Sequence, residues 1–208
     1  MTAAAPRPHE PLVHWQIDGG YSDTVGKTEQ YLEGGYSAGF GVSVATAPGS
    51  PVDFRFDANY NHNDATNGLV GLGQTINSYV NSGDASIWSG TLDIEFKIPL
   101  GGGIQLYEFG GGGAYDTRIA FRAPVFVAGG YYSGGYCNPF FGYCYGDVGE
   151  ATVSAHSVTK FGWNAGVGLE FPIGGGTKFF VEGRYNRVHT NDHETPIAYV
   201  PITGGLRF

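Results

Sequence analysis

Apolar and polar residues alternate along eight segments of the chain, and within each segment the apolar residues take every second position. Successive side chains of a β-strand point to opposite faces, so this alternation predicts eight strands, each with an apolar and a polar face. Stretches rich in Gly, Pro and Asn separate the segments and are typical of turns. The predicted strands cover residues 13–22, 36–44, 52–61, 88–97, 107–116, 161–171, 179–186 and 198–208.

The two faces of the predicted strands differ in charge. The apolar faces carry no charged residue in the strand cores, whereas the polar faces carry nearly all the strand charges, of both signs. An all-β, up-and-down antiparallel barrel accommodates such strands, with either face turned inward. The charged residues of the polar faces are Asp18, Asp53, Arg55, Asp57, Asp93, Glu95, Lys97, Glu108, Glu170, Glu182, Arg184 and Arg207.

The fifth segment is the least regular, because glycines 110–113 interrupt its pattern. Its apolar face is assigned to Tyr107, Phe109 and Tyr115, by analogy with the other seven segments. This assignment places Glu108 on the polar face with the remaining charges.

Three features indicate that the apolar faces point to lipid. Aromatic rings lie near both ends of these faces, as at Trp15 and Tyr21, where a membrane barrel carries its aromatic girdles. The polar faces are rich in Gly and Ser, which suit a narrow interior. Short connections alternate with long ones, as in outer-membrane barrels: those at 47–51, 99–103 and 172–177 are short, and those at 23–33, 63–85, 118–159 and 190–196 are long.

Composition narrows the class of protein further. The chain of 208 residues has 36 Gly, and only 14% of its residues are charged. The net charge of −8 argues against a nucleic-acid partner. No run approaches the 18 or more apolar residues that a transmembrane helix needs.

The last strand ends Val200-Pro-Ile-Thr-Gly-Gly-Leu-Arg-Phe208, with apolar residues at alternate positions before a terminal Phe. This ending resembles the terminal strand of outer-membrane barrels, and residues 12–208 as a whole are similar to the small eight-stranded OmpA/OmpX-like and porin-family barrels. The match lies at Val200, Ile202, Leu206 and Phe208, whereas Gly204 stands where that family often has an aromatic residue.

The resemblance implies a cellular location and a set of partners. It implies an exported, monomeric protein of the bacterial outer membrane, in contact with outer-membrane lipid and lipopolysaccharide, whose last strand is read by the barrel-assembly machinery. Residues 12–208 form the barrel domain in this interpretation. Residues 1–11 form a flexible segment that lacks the apolar run of a signal peptide, so we expect the mature form of the protein.

The polar faces, turned inward, predict a network of charges in the lumen. An unpaired buried charge costs several kcal/mol, so we expect Arg55, Arg184 and Arg207 to bind carboxylates. Such a network closes the barrel, and the alternative is a narrow, gated pore that favours cations. Carboxylate pairs also occur in glycosidases, but a sugar does not fit into an eight-stranded barrel.

The fifth and sixth strands continue to alternate beyond the membrane and predict a protruding hairpin with its tip at 129–146. Cys137 and Cys144 predict a disulfide that restrains this tip, and a metal site is the weaker alternative. The tip is either a binding surface for an extracellular ligand or an aromatic loop packed on itself. Its aromatic residues are Tyr131, Tyr132, Tyr136, Phe140, Phe141, Tyr143 and Tyr145.

The remaining polar residues predict little chemistry. His62, His189 and His193, with nearby carboxylates, are candidate metal ligands, but solvated loop histidines are commoner, and we predict no metal and no cofactor. No Ser/His/Asp set stands out, so we predict no catalytic residue. Residues 67–82 carry Leu69, Leu72, Ile76 and Val80 at helical spacing and predict a short amphipathic helix.

The function predicted from these patterns is non-enzymatic. The protein stabilises the envelope and presents loops for adhesion or recognition. The alternatives are a narrow channel, a lipid-A-modifying enzyme and a soluble barrel with an internal ligand.

Overall fold

The computed structural model describes residues 12–127, 147–190 and 196–208. The segment 1–11, the Cys137–Cys144 pair, the aromatic residues of the hairpin tip and His193 lie outside these ranges, and their predicted roles stay predictions.

The strands form a closed antiparallel barrel in chain order, and the last strand pairs with the first. This arrangement confirms the predicted eight-stranded up-and-down barrel. At the seam, the backbone N–H of Phe208 donates to the Trp15 carbonyl at 2.8 Å. The strands are β1 (Val13–Thr24), β2 (Leu32–Ala45), β3 (Val52–Ala65), β4 (Ser82–Gly101), β5 (Ile104–Val127), β6 (Asp147–Gly174), β7 (Thr177–Val188) and β8 (Ile197–Arg207).

Short turns join the strands at one end of the barrel. The β4–β5 and β6–β7 turns each contain three consecutive glycines, Gly101–Gly103 and Gly174–Gly176, and all six have positive φ. Side chains are strained in that region, so only glycine forms these turns without cost. We refer to this end as the periplasmic end.

The opposite, extracellular end carries the longer connections. A 3-10 helix (Gly26–Gln30) follows β1, and α1 (Asn67–Ile76) lies between β3 and β4. The helix α1 is shorter than the predicted 67–82: Leu69 is buried, but Leu72 and Ile76 are exposed. In the described ranges, no helix is both long and apolar enough to cross a membrane. Strands β5 and β6 extend beyond their neighbours, which confirms the predicted hairpin stem.

Burial in this barrel is reversed relative to a soluble protein. Large apolar side chains point outward, and Leu92 retains 69% of its surface exposed. Charged side chains fill the interior, and Arg55 is 1% exposed. A membrane barrel needs this distribution, because lipid is the solvent outside and the charges are paired inside.

Strand β5 differs from its sequence assignment. Tyr107, Phe109 and Tyr115 are buried in the lumen, and Glu108 lies on the outer face, so its predicted place in the lumen network is wrong. Glu108 pairs across the sheet with Phe96 and Val167, both outward-facing.

The reason for the reversal lies in β6. Tyr107 stands opposite Gly168 and Phe109 opposite Gly166. A Cβ at Gly168 would lie 2.3 Å from Tyr107 Cζ, and one at Gly166 would lie 2.3 Å from Phe109 Cζ. The glycines therefore leave the space in which the two rings lie. The fit of the rings into this space, and not the polarity pattern along β5, decides which face points inward.

Candidate functional site

The lumen is the most organised polar site in the described ranges, and Arg55 lies at its centre. Its Nη1 donates to Glu182 Oε2 at 2.6 Å, and its Nη2 donates to Glu182 Oε1 at 3.2 Å. Its Nε lies 2.8 Å from Asp57 Oδ2. Residues 55 and 57 share a face because they are two apart on β3, so the guanidinium can bridge from β3 to β7 across the barrel.

Arg184 binds the same two carboxylates from the β7 side. Its Nη2 donates to Asp57 Oδ2 at 2.5 Å and to Glu182 Oε1 at 3.1 Å. Two guanidiniums and two carboxylates thus form a closed cluster. Asp93 extends it, because its Oδ1 accepts a hydrogen bond from Asn164 Nδ2 at 2.9 Å and its Oδ2 lies 3.8 Å from Arg184 Nη1.

Arg207, on the last strand, forms a second cluster. It binds Glu95 through two hydrogen bonds, from Nη1 at 2.9 Å and from Nη2 at 3.0 Å. Its Nη2 also donates to Gln16 Oε1 at 2.7 Å, and its Nη1 binds Glu170. Glu95 accepts from Arg55 Nη1 at 3.3 Å as well, so one carboxylate joins the two clusters.

The rings of β5 lie between these cations. Phe109 has the Arg55 guanidinium at 4.6 Å and the Arg184 guanidinium at 4.7 Å from its ring centroid. Tyr107 faces Arg207 at 4.9 Å, and its hydroxyl donates to Glu182 Oε2 at 3.1 Å. An aromatic face attracts cations, so each ring both fills the lumen and stabilises the guanidiniums beside it.

Two lysines close the periplasmic end of the network. Lys97 binds Asp53, as the pattern of the polar faces predicts, and Lys178 Nζ donates to Glu170 Oε2 at 3.0 Å. Sequence reasoning missed Lys178. Lys178 lies two residues before Phe180 on β7, so the two side chains share the inward face of the strand. The strand alternation could therefore have predicted that Lys178 points into the lumen.

An apolar layer closes the lumen on the extracellular side. Ile87, Tyr115, Val188 and Tyr199 form a buried cluster there. The Tyr115 hydroxyl donates to Asn186 Oδ1 at 3.2 Å, so its polar group is satisfied.

Asp18 lies between this apolar layer and the charge network, with no ion pair to a described residue. It lines a space of about 10 Å³, which is room for about one water molecule. At this level the described lumen is almost completely filled by side chains.

The other predicted residues are placed as follows. Ile202 and Phe208 of the terminal motif face outward and are exposed, and Val200 and Leu206 share their parity. His62 lies 3.7 Å from Asp64 and stacks on Tyr36. In the part of the chain that the structure describes, no three His, Cys, Asp or Glu side chains come together as metal ligands.

Comparison with known proteins supports the fold. No family model and no curated protein sequence matches the chain. The chain is similar to the crystal structure of Neisserial surface protein A, with a TM-score of 0.54, 12% identity and coverage of 95% of this chain and 96% of that one. A major outer membrane protein from Thermus thermophilus gives a TM-score of 0.54 at 12% identity, with 94% and 98% covered. The chain therefore has the fold of the small eight-stranded outer-membrane β-barrels.

Glu108 on the outer face and Glu95 in the lumen lie at similar levels along the barrel axis. Replacing each of them tests which face of β5 points outward. Glu108→Leu removes a carboxylate from an apolar outer face, so we expect the free energy of unfolding to stay unchanged or to rise by up to about 2 kcal/mol. Glu95→Leu leaves Arg207 and Arg55 short of a buried partner, so we expect a loss of roughly 3–5 kcal/mol. Urea unfolding in lipid vesicles, followed by tryptophan fluorescence, measures both. Equal losses in the two variants would contradict the assignment of β5.

Proposed function

We propose that the protein is a non-enzymatic, non-conducting integral protein of the bacterial outer membrane that acts through its extracellular end. The observation that carries the proposal is the closed lumen. Ion pairs fill its middle, and the cluster of Ile87, Tyr115, Val188 and Tyr199 covers them. Because side chains that hold the barrel together fill the interior, we assign recognition of an extracellular ligand or surface to the extended β5–β6 hairpin.

The outer face supports the location. Large apolar side chains, exposed on β1 to β4 and on β6 to β8, form a band that is unfavourable in water and favourable in lipid. Residues Val200, Ile202, Leu206 and Phe208 alternate along the outward side of β8, which supports recognition of this strand by the barrel-assembly machinery. Outer-membrane lipid and lipopolysaccharide are the partners that such a band requires.

A narrow pore is the alternative function, and the geometry of the charges weighs against it. A conducting lumen needs hydrated charges that release an ion as readily as they bind it. Here Arg55, Arg184 and Arg207 each contact at least two carboxylates with little exposed surface. Water and ions would have to separate these pairs before they could pass.

Planar-bilayer recording distinguishes the two functions. We expect folded protein, verified by its heat-modifiable mobility in SDS gels, to give no single-channel steps in concentrated KCl at any voltage that the bilayer tolerates. Reproducible steps whose size changes in Glu182→Gln or Arg184→Met would contradict the closed lumen and favour the pore.

Shortening the hairpin tests the role in recognition. Ala123 and Ala151 pair across β5 and β6, so an Asn-Gly turn can join them in place of residues 124–150. We expect bacteria that display the shortened protein to lose adherence to epithelial monolayers, although the barrel still folds. Tyr79→Ser, which changes an exposed ring outside the hairpin, is the control and should adhere normally. Unchanged adherence of the shortened protein would contradict the proposal.

A further inference from the structure

A partly open cavity of about 470 Å³ lies at the extracellular end of the barrel. It is surrounded by the 3-10 helix, the start of β2, α1, the stems of β5 and β6, and the start of β8. Its apolar lining includes Leu32, Leu69, Leu72, Ile119, Val158 and Ile197. The volume falls within the range of about 300–1,000 Å³ that is usual for small-molecule sites.

The described lining of this cavity offers a charged ligand few partners. No described Asp, Glu, Lys or Arg side chain contributes to it, and the imidazole of His156 lies there instead, in contrast to the lumen a short distance below. A ligand charge placed there would have no carboxylate, ammonium or guanidinium of the described lining as a partner and would lose its hydration. The chemistry therefore favours an uncharged molecule with a mainly apolar body.

The polar side chains of the lining offer a ligand little to bind. The hydroxyl of Thr28 accepts from the Ala198 N–H at 2.9 Å and donates to the Pro196 carbonyl at 3.4 Å. Thr117 is 3% exposed and its hydroxyl oxygen is buried, so a ligand in the cavity does not reach that oxygen.

The cavity is separate from the charged lumen. Ile197 lines the cavity and also packs against the cluster of Ile87, Tyr115, Val188 and Tyr199, which forms the floor beneath it. All the lining elements lie at the extracellular end, so a ligand reaches the cavity from that side.

We propose that this cavity binds a small, uncharged, mainly apolar molecule from the extracellular medium, with its apolar body against Leu69, Ile119 and Ile197. The site is distinct from the described part of the hairpin beyond Ala123, because no described residue from 124 to 150 contributes to the lining. Failure of this proposal therefore leaves the proposed adherence and the closed lumen untouched.

Methyl NMR of the full chain in lipid nanodiscs, titrated with 1-heptanol, tests the proposal. We expect saturable shifts of the Leu69, Leu72, Ile119 and Ile197 methyl groups and none at the lipid-facing Ile17 and Leu92. Heptanoate, which carries a charge, should bind more weakly by about tenfold or more. Shifts that fail to saturate, or that are as large at Ile17 and Leu92, would mean simple partition into lipid and would overturn the proposal.

Two matched tryptophan variants locate the site. Val158 lines the cavity and is 39% exposed, whereas Val153 on the same strand is 41% exposed and lies outside it. Val158→Trp fills the cavity and should weaken heptanol binding by about tenfold or more, and Val153→Trp should leave it unchanged. Both variants should fold, as heat-modifiable mobility reports. Equal binding by the folded Val158→Trp and wild-type proteins would contradict the site.

Discussion

Three guanidinium groups and their carboxylates occupy the middle of the barrel and connect strands that lie on different sides of the lumen. Arg55 joins β3 to β7, and Arg207 joins β8 to β4 and β6. In a barrel with lipid outside, the interior supplies the partners for most of the charges that the strands carry inward. The network also fixes the position of the rings of β5, because Phe109 lies between two cations and Tyr107 beside a third. The ion pairs and the rings thus hold one another in place.

The barrel itself could be predicted from the sequence because alternation reports directly on which face a residue occupies. Strands β1 to β4 and β6 to β8 follow that rule. Strand β5 does not, since the available space opposite Gly166 and Gly168 decides where its rings point. Such a relation joins residues about 60 positions apart and becomes visible only when the β5–β6 register is known. The apolar cavity is likewise invisible in the pattern, because it is formed by six separate elements whose arrangement depends on the loops.

The described interior of the barrel and its extracellular end differ in structure. The lumen is filled from Lys97 and Lys178 at the periplasmic end to the Tyr115 layer at the extracellular end. The extracellular end beyond that layer consists of an apolar cavity, a short helix and the extended β5–β6 stem. A rigid scaffold that presents variable extracellular elements is a common way to combine stability with recognition. The division explains why most charges of the strands serve stability and why the functional proposals concern the extracellular residues.

The central claim is that the apolar face of the barrel is its outside, in contact with lipid. The chain has three tryptophans, Trp15, Trp88 and Trp163, and all three side chains point outward with substantial exposure. Tryptophan fluorescence in vesicles of lipids with brominated acyl chains measures this contact directly, because bromine quenches only rings that it touches. The account predicts strong quenching relative to vesicles of unbrominated lipid. Emission unaffected by brominated lipid, from protein that is folded and inserted, would mean that the tryptophans lie inside the barrel and would contradict the account.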